Sequence, residues 1–220
     1  VASLPAGVPA LPAGKLVKRV YSIASAPGAG HLEFFIQLVK EGEFTTRLWS
    51  LETGDRLWLS PKIGGTFTLA PVPAGSRLIL IGTGTGLAPF VSMVRAGSAR
   101  ADRPWRRCVL VHGARDASEL GYFAELQALA GRDRSFAYLP MLTREPPDSR
   151  WSGLRGRVQS LLEGGTLERL TGERLDPADT HVFLCGNPEM IDDMERRLTA
   201  LGFGRHTAQA PGNLHFERYW

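Results

Sequence analysis

Hydrophobic residues change their spacing near residue 72, and this change divides the chain into two regions. Before it, short runs of alternating apolar and polar residues, separated by glycine-containing turns, predict strands of an antiparallel sheet or small barrel. These strands read LVKRVYSIAS, HLEFFIQLVK, RLWSL, DRLWLSP and GTFTLAP. The run TTRLWSLE also fits a short helix, so both interpretations stay open there.

After PVPAGS, continuous apolar runs alternate with helical patterns. The predicted strands are RLILIG, RCVLVHG, FAYLPML, HVFLCG and LHFERYW. The predicted helices are APFVSMVRAG, ELGYFAELQALAG, RVQSLLEGG and NPEMIDDMERRLTALGFG. This alternation predicts an α/β domain with a five-stranded parallel sheet covered on both faces. We therefore expect two domains, residues 1–72 and 73–220, with ligands beyond the carboxyl ends of the parallel strands.

The composition adds a class and a compartment. Of the 220 residues, 43% are hydrophobic and 22% charged, as in an ordinary globular protein. No apolar run approaches the ~20 residues that span a bilayer, and the first residues lack the pattern of a secretory signal. Cys108 and Cys185 are too few for a disulfide framework or a four-thiolate cluster. We expect buried thiols, a cytoplasmic protein and no membrane insertion.

Charge and histidine content leave few other functions open. Lys and Arg exceed Asp and Glu by 26 to 22, and no basic run interleaved with aromatics indicates nucleic-acid binding. No ligand spacing predicts a metal site. His112 and His206 have no motif partner, so a structural role is the default for both.

A glycine loop follows the first strand of the second region. In GTGTGLAPF, Gly82, Gly84 and Gly86 are spaced G-x-G-x-G, which differs from the dinucleotide fingerprint G-x-G-x-x-G. Glycines let the backbone approach a phosphate, the following helix N-terminus favours an anion, and Thr83 and Thr85 add hydroxyls. The alternative is a tight strand–helix turn without a ligand.

Other stretches hold candidate chemistry. RVYSIAS contains Arg19, Tyr21 and Ser22 in a predicted strand, and CGNPEM follows the fourth predicted strand of the α/β region. The chain closes on the aromatic tail HFERYW, which is suited either to core packing or to stacking on a flat ligand.

Together these stretches resemble the ferredoxin/flavodoxin–NADP reductase family, in particular its bacterial members whose chains end in Tyr-Trp. The resemblance covers nearly all of residues 16–220. RVYSIAS is similar to the family's flavin motif Arg-x-Tyr-Ser, and GEFTTRL to its second flavin contact. GTGTGLAPF, VHGARD and CGNPEM are similar to its nicotinamide-nucleotide motifs, in the same order.

The resemblance implies an FAD-binding antiparallel β-barrel followed by an NADP(H)-binding α/β domain. It implies hydride exchange between NADPH and flavin N5, and one-electron exchange with a ferredoxin or flavodoxin. Arg19 would neutralise the FAD pyrophosphate, Tyr21 and Tyr219 would cover the two flavin faces, and Ser22 would bond near N5. The residues expected to bind FAD are Arg19, Tyr21, Ser22, Ile36, Gln37, Val39, Phe44, Thr45, Thr46, Tyr219 and Trp220.

For catalysis the resemblance singles out Ser22, Tyr21, Cys185 and Glu217. Cys185 would lie beside the nicotinamide, although a strand-end cysteine is more often a small buried hydrophobe. Glu217 would organise the flavin edge, or else is only the outward residue of the last strand.

The resemblance also implies a nucleotide site at the glycine loop. Its expected residues are Thr83, Gly84, Thr85, Gly86, Pro89, Arg115, Arg144, Arg157, Cys185, Asn187 and Met190. A 2′-phosphate favours arginine, so Arg144 and Arg157 predict NADP(H) over NAD(H), with Arg115 near the pyrophosphate. The alternative is that these arginines are simply solvated.

One departure from the family concerns the start of the barrel. Only 18 residues precede Arg19, and they are rich in Pro, Ala and Gly, so we expect either that the chain has lost the first barrel strands, that a partner supplies them, or that the barrel is open. Two rival functions stay open: the reductase component of an oxygenase system, which shares these domains, and a non-catalytic nucleotide-binding or electron-transfer module, which a truncated barrel would leave. We expect a monomer whose electron partner is a ferredoxin or flavodoxin.

Overall fold

The computed structural model describes residues 16–100 and 102–218, and the chain forms two compact units. One unit comprises Val1–Ser22, described from residue 16 onwards, and Ile36–Thr66. The other comprises Ile23–Phe35 and Phe67–Trp220, described up to residue 218.

The larger unit is built on a parallel sheet of six strands in the order β4-β3-β2-β1-β5-β6. The strands are β1 (Ser76–Thr83), β2 (Trp105–Ala114), β3 (Phe136–Leu142), β4 (Leu154–Arg155), β5 (Thr180–Gly186) and β6 (Leu214–Arg218). The first strand of the sheet, β1, is central. The chain then adds β2, β3 and β4 on one side of it, and returns to add β5 and β6 on the other side. Strand order therefore reverses beside β1, which is where open α/β sheets bind ligands.

Helices connect these strands. The α-helices of the chain are α1 (Thr45–Leu48), which belongs to the smaller unit, α2 (Ala88–Ser98), α3 (Phe123–Arg132), α4 (Thr166–Thr171) and α5 (Pro188–Ala200). Short 3-10 helices span Gly84–Leu87, Ala117–Glu119 and Val158–Gly165. In the described ranges, no helix is both long enough and apolar enough to cross a bilayer.

Both faces of the sheet are buried, which explains the unbroken apolar runs of its strands. Leu78 and Leu80 of β1 point into one core with α2 and α3, whereas Ile79 and Ile81 point into the other with α4 and α5. Successive strand residues alternate between the two faces of the sheet. When both faces are covered, every position in the middle of a strand is buried and therefore favours an apolar residue.

The prediction of five parallel strands was wrong by one, because β4 adds a sixth. All five predicted runs form strands, but Leu154 and Arg155 also pair with Met141 and Leu142 of β3. A strand of two residues contains no detectable alternation of apolar and polar positions, so the sequence pattern does not predict it. The predicted helix RVQSLLEGG is instead a 3-10 segment interrupted at Glu163 and Gly164, where backbone angles are non-helical.

The smaller unit contains little regular structure in its described residues. Its one helix, α1, settles the ambiguity of TTRLWSLE in favour of helix. Residues 55–66 form no strand, and their apolar side chains are exposed, Trp58 at 95% and Ile63 at 75%. An alternating pattern forms a sheet only where partner strands pair with it, and the described residues supply none here. The antiparallel barrel therefore stays a prediction.

Candidate functional site

The glycine loop lies at the carboxyl end of the central strand. Thr83 is the last residue of β1, the 3-10 turn Gly84–Leu87 follows, and α2 begins directly after it. Pro89 occupies the first turn of α2, where the missing N–H of proline has no cost. The loop therefore presents backbone N–H groups and a helix N-terminus at one edge of the sheet.

This loop packs against the end of β5 with no room for side chains. A Cβ on Gly86 would meet the Cys185 carbonyl oxygen at 2.3 Å, and a Cβ on Gly186 would meet Thr83 Oγ1 at the same distance. Gly186 also has φ +129°, a conformation that favours glycine. Sequence reasoning included Gly86 and missed Gly186, although a glycine directly after a strand-end cysteine was a visible signal.

Hydrogen bonds join the loop to the start of α5. The Asn187 N–H donates to Thr83 Oγ1 at 3.0 Å, and Asn187 Oδ1 accepts from the Met190 N–H at 3.2 Å as the helix cap. Thr83 thus holds the two strand ends together. Because β1 and β5 are neighbours in the sheet, the N-termini of α2 and α5 lie at the same edge of it.

Two predicted catalytic residues lie beside the loop on neighbouring strands. Cys185 of β5 is in register with Gly82 of β1 on one side and with Glu217 of β6 on the other. Cys185 is fully buried in the core that faces α2 and α3, whereas Glu217 is half-buried. The structure therefore brings Cys185 and Glu217 together with the glycine loop.

His112 of β2 is the register partner of Gly82 on the other side. Its side chain is fully buried, with Nδ1 3.0 Å from the Tyr138 hydroxyl, and Nε2 has no partner in the described part of the chain. Burial lowers the pKa of His112 from its ordinary 6.5 to about 4, because charging a buried imidazole without a counter-ion is unfavourable. The neutral, packed ring agrees with the structural role expected for it.

The predicted arginines follow three neighbouring strands at this same edge. Arg115, Arg144 and Arg157 come just after β2, β3 and β4, and all three side chains are exposed. The Arg144 N–H donates to the Arg115 carbonyl at 2.7 Å, which fixes the backbones of these two residues against each other. Arg115 Nε lies 3.5 Å from a carboxylate oxygen of Glu119. An exposed guanidinium thus follows each of β2, β3 and β4 at this edge, and that of Arg115 has a carboxylate beside it.

Arg155 holds the loop that contains Arg144. Its guanidinium donates to the Glu145 carbonyl at 2.6 Å and to Ser149 Oγ at 3.1 Å, and so bridges the segment between β3 and β4. Sequence reasoning missed this residue, because nothing in LRGRV distinguishes a loop-bracing arginine from a ligand-binding one.

In the smaller unit the structure brings predicted flavin residues together around Tyr21. The Tyr21 ring packs on Phe44 with centroids 5.8 Å apart, and partial burial raises its pKa. Arg19 is exposed, and its guanidinium donates to the Lys18 carbonyl at 2.8 Å. Ser22, Ile36 and Gln37 are half-buried and Val39 is exposed.

Thr45 and Thr46 are buried, and their hydroxyls are engaged within the same loop. Thr45 Oγ1 accepts from the Val39 N–H at 3.0 Å and donates to the Val39 carbonyl at 3.1 Å. Thr46 Oγ1 donates to the Gly42 carbonyl at 2.6 Å. These bonds fix the loop between Val39 and α1, and they occupy main-chain groups of Val39 and Gly42 as well as the two hydroxyls. Tyr219 and Trp220 lie outside the described residues.

Comparison with known proteins places this chain among oxidoreductases, both by a family model and by a solved structure. Residues 80–196 match the family model described as an oxidoreductase NAD-binding domain. A ferredoxin NADP+ reductase from Neisseria gonorrhoeae, solved with bound FAD and NADP, aligns with a TM-score of 0.79 at 30% identity. The alignment covers 91% of this chain and 79% of that one.

Sequence relatives agree over nearly the whole chain. The flavodoxin/ferredoxin–NADP reductase of Escherichia coli is 33% identical over 209 residues, which are 94% of this chain and 82% of that protein. The ferredoxin–NADP reductase of Pseudomonas aeruginosa is 33% identical over 215 residues, or 93% and 81%. On these matches and on the shared sheet, the chain belongs to the flavodoxin/ferredoxin–NADP reductase family.

Proposed function

We propose that this protein is an FAD-dependent reductase that exchanges hydride with NADP(H) and single electrons with a small ferredoxin or flavodoxin. The observation that carries the proposal is the carboxyl edge of the parallel sheet. There the glycine loop, Cys185 and Glu217 lie side by side, and three arginines follow the adjoining strands. Family membership supports the same activity.

At the nucleotide site the residues suit NADP(H). The main chain of Gly84 to Leu87 and the start of α2 offer N–H groups to the pyrophosphate. Arg144 and Arg157 offer exposed guanidiniums to a 2′-phosphate, and Arg115 to the pyrophosphate. The proposed nucleotide site is completed by Thr85 of the loop, Pro89 at the start of α2 and Met190 at the start of α5.

Around the nicotinamide, the proposed roles are ones of shape. Cys185 is fully buried and would shape the site from within the core, while Asn187 and Thr83 fix the end of β5 against the loop. Glu217, next to Cys185 in register, would contribute a carboxylate at the same edge.

The smaller unit offers a donor set that fits FAD: a cation, an aromatic pair and a loop closed by threonines. FAD, when bound, would supply the redox chemistry, namely acceptance of a hydride from NADPH, which leaves as NADP+, and release of single electrons. Arg19 would face the pyrophosphate, Tyr21 would pack on the flavin, and Ser22 would bond to its edge. Ile36, Gln37, Val39 and Phe44, together with Tyr219 and Trp220, complete the proposed FAD set.

We also propose the boundary of the flavin and nucleotide domains near residues 72 and 73, and work in the bacterial cytoplasm as a monomer. Both cysteines are buried and neither forms a disulfide, which suits a reducing compartment.

The test of the nucleotide assignment replaces Arg144 and Arg157 together by alanine. Each arginine–phosphate contact at an exposed site is expected to contribute about tenfold in binding. The KM for NADPH should therefore rise about a hundredfold in the double variant while the KM for NADH changes about twofold or less. Steady-state reduction of an artificial acceptor with each nucleotide measures both values.

The control for this experiment is Arg150→Ala, which removes an exposed arginine from the same segment of chain. It should leave both KM values within about twofold of the wild type. Equal rises in the two KM values for the double variant would reject the 2′-phosphate role, and a rise in the control as large as in the double variant would reduce it to general charge.

A further inference from the structure

A hairpin belongs to the larger unit although the chain on both sides of it belongs to the smaller one. Ile23–Phe35 groups with the α/β unit, whereas residues 16–22 and 36–66 do not. Ile23 pairs with Phe34 as an antiparallel bridge, and the Ala24 N–H donates to the Glu33 carbonyl at 2.8 Å. The hairpin is therefore a small folded element with its own partners.

Two residues of α2 hold the first strand of this hairpin. Ser92 Oγ donates to the Ser25 carbonyl at 2.8 Å, and Arg95 Nη1 donates to the Ala24 carbonyl at 3.2 Å. Arg95 Nη1 also donates to Glu33 Oε2 at 2.7 Å, so one guanidinium binds both strands of the hairpin.

The same guanidinium is fixed from its other side by α3. Arg95 Nε and Nη2 each donate to a Glu125 carboxylate oxygen at 2.7 Å, the bidentate geometry that arginine favours. The Tyr122 hydroxyl donates to Glu33 Oε1 at 2.7 Å, and the Arg95 guanidinium lies 5.1 Å from the centre of the Tyr122 ring. Hydrogen bonds from Arg95 and Tyr122 lower the pKa of Glu33, which keeps this carboxylate charged.

Tyr122 holds its position at a conformational cost. Among the described residues, Tyr122 is the one non-glycine residue with a positive φ, +59°, a backbone conformation that few non-glycine residues adopt. Its ring meets Phe35 of the hairpin edge-on with centroids 5.5 Å apart. Such strain persists where the surrounding contacts require it, and here those contacts are the hairpin's.

We propose that Arg95, with Glu33 and Tyr122, is a positioning residue for hydride transfer. The hairpin fixes the chain immediately after Tyr21 and Ser22 and immediately before Ile36 and Gln37, and all four are proposed flavin residues. Each is within two residues of the hairpin, or about 7 Å of extended chain. Releasing Arg95 therefore loosens both flavin-binding segments at once without touching the nucleotide loop. The inference rests on the proposed function, and its test separates the two.

The variants are Arg95→Met, which keeps the length of the side chain, and Tyr122→Phe, which removes one hydroxyl. Arg95→Lys serves as the conservative replacement that retains a charge for Glu33. The control is Arg100→Met, which breaks an exposed 2.7 Å pair with Asp102 just beyond α2. All are studied as the full chain loaded with FAD.

Stopped-flow reduction by NADPH under anaerobic conditions supplies the first readout. Because small misplacements of reacting groups are costly, the limiting reduction rate should fall about tenfold or more in Arg95→Met and about threefold in Tyr122→Phe. Arg95→Lys should recover part of the loss, and Arg100→Met should match the wild type. The Kd for NADP+ should stay within about twofold throughout, since Arg95 does not face the nucleotide loop in this proposal.

Hydrogen exchange supplies the second readout, which needs no turnover. Arg95→Met should accelerate amide exchange in residues 16–22 and 36–40 while the exchange of β1 and β5 is unchanged. Unchanged exchange in those two segments, or an unchanged limiting rate in both Arg95→Met and Tyr122→Phe, overturns the positioning role. Failure of NADPH to reduce the wild type contradicts the proposed function instead, and the exchange result then still decides whether Arg95 orders the two segments.

Discussion

Acid should destabilise this protein through His112, a buried histidine at the centre of the sheet. Its ring is fully buried, Nε2 has no partner in the described residues, and its pKa is about 4 instead of 6.5. Well above pH 6.5 the imidazole is neutral in the folded and the unfolded chain, so its protonation takes nothing from the free energy of unfolding. Below pH 6.5 the unfolded chain takes up a proton that the folded protein excludes, so the free energy of unfolding falls as the pH falls.

The size of this effect follows from the two pKa values. A difference of 2.5 units at about 1.36 kcal/mol each corresponds to about 3.4 kcal/mol, lost progressively between pH 6.5 and pH 4. At pH 5.0 the loss attributable to His112 is about 2 kcal/mol relative to pH 7.5. His215, buried beside His181 and His206, has a pKa lowered to about 3 and adds a loss of the same sign.

His112→Gln removes the titrating group while keeping a neutral polar side chain of similar length. Urea unfolding of wild type and variant at pH 7.5 and 5.0, with FAD and NADP+ held constant, gives the loss of unfolding free energy for each. The wild type should lose about 2 kcal/mol more than the variant between the two pH values. Tyr138→Phe is the control, because burial, and not the hydroxyl, sets the pKa of His112.

Equal losses in the wild type and His112→Gln would refute the assignment of a neutral, buried His112. A loss in Tyr138→Phe as small as that in His112→Gln would show that the hydroxyl at 3.0 Å controls the ionisation instead.

Two glycine substitutions should separate function from stability. Gly86→Ala places a methyl against the Cys185 carbonyl at 2.3 Å, so the loop must move, and the Kd for NADP+ in equilibrium binding should rise about tenfold while FAD content is unchanged. Its control is Gly131→Ala in α3, where a Cβ meets nothing within 4 Å and helix stability should rise by about 0.5–1 kcal/mol. Gly97→Ala drives a methyl to 1.9 Å from the Trp105 ring, and overpacking should lower the unfolding free energy by about 1–3 kcal/mol with an unchanged Kd. An unchanged Kd for NADP+ in Gly86→Ala would contradict the assignment of the glycine loop to nucleotide binding. A Gly97→Ala variant with an unchanged free energy of unfolding and a raised Kd would contradict a purely structural role for Gly97.

The α/β region was predictable because its signals are local. The apolar runs of β1, β2, β3, β5 and β6 and the glycine loop can be read without knowing their neighbours, and all appear where expected. The two-residue strand β4 was not predictable, because its pairing with β3 is a property of the tertiary fold.

Contacts distant in sequence were beyond prediction for a similar reason. Arg95 and Glu33 are 62 positions apart, and nothing in either neighbourhood indicates that one binds the other. The positive φ of Tyr122 likewise has no sequence signature, since glycine or asparagine is the usual sign of that conformation. The bonds of the Thr45 and Thr46 hydroxyls to the main chain of Val39 and Gly42 also could not be read from GEFTTRL.

The proposed reductase activity requires that one chain binds FAD and accepts hydride from NADPH. Its most direct test is an anaerobic titration of the FAD-loaded protein with NADPH, followed by the visible absorbance of oxidised flavin. We expect this absorbance to be lost with one equivalent of NADPH and to return when oxidised ferredoxin or flavodoxin is added. Protein that takes up no FAD, or flavin that keeps its absorbance in excess NADPH, would contradict it and favour a non-catalytic nucleotide-binding module.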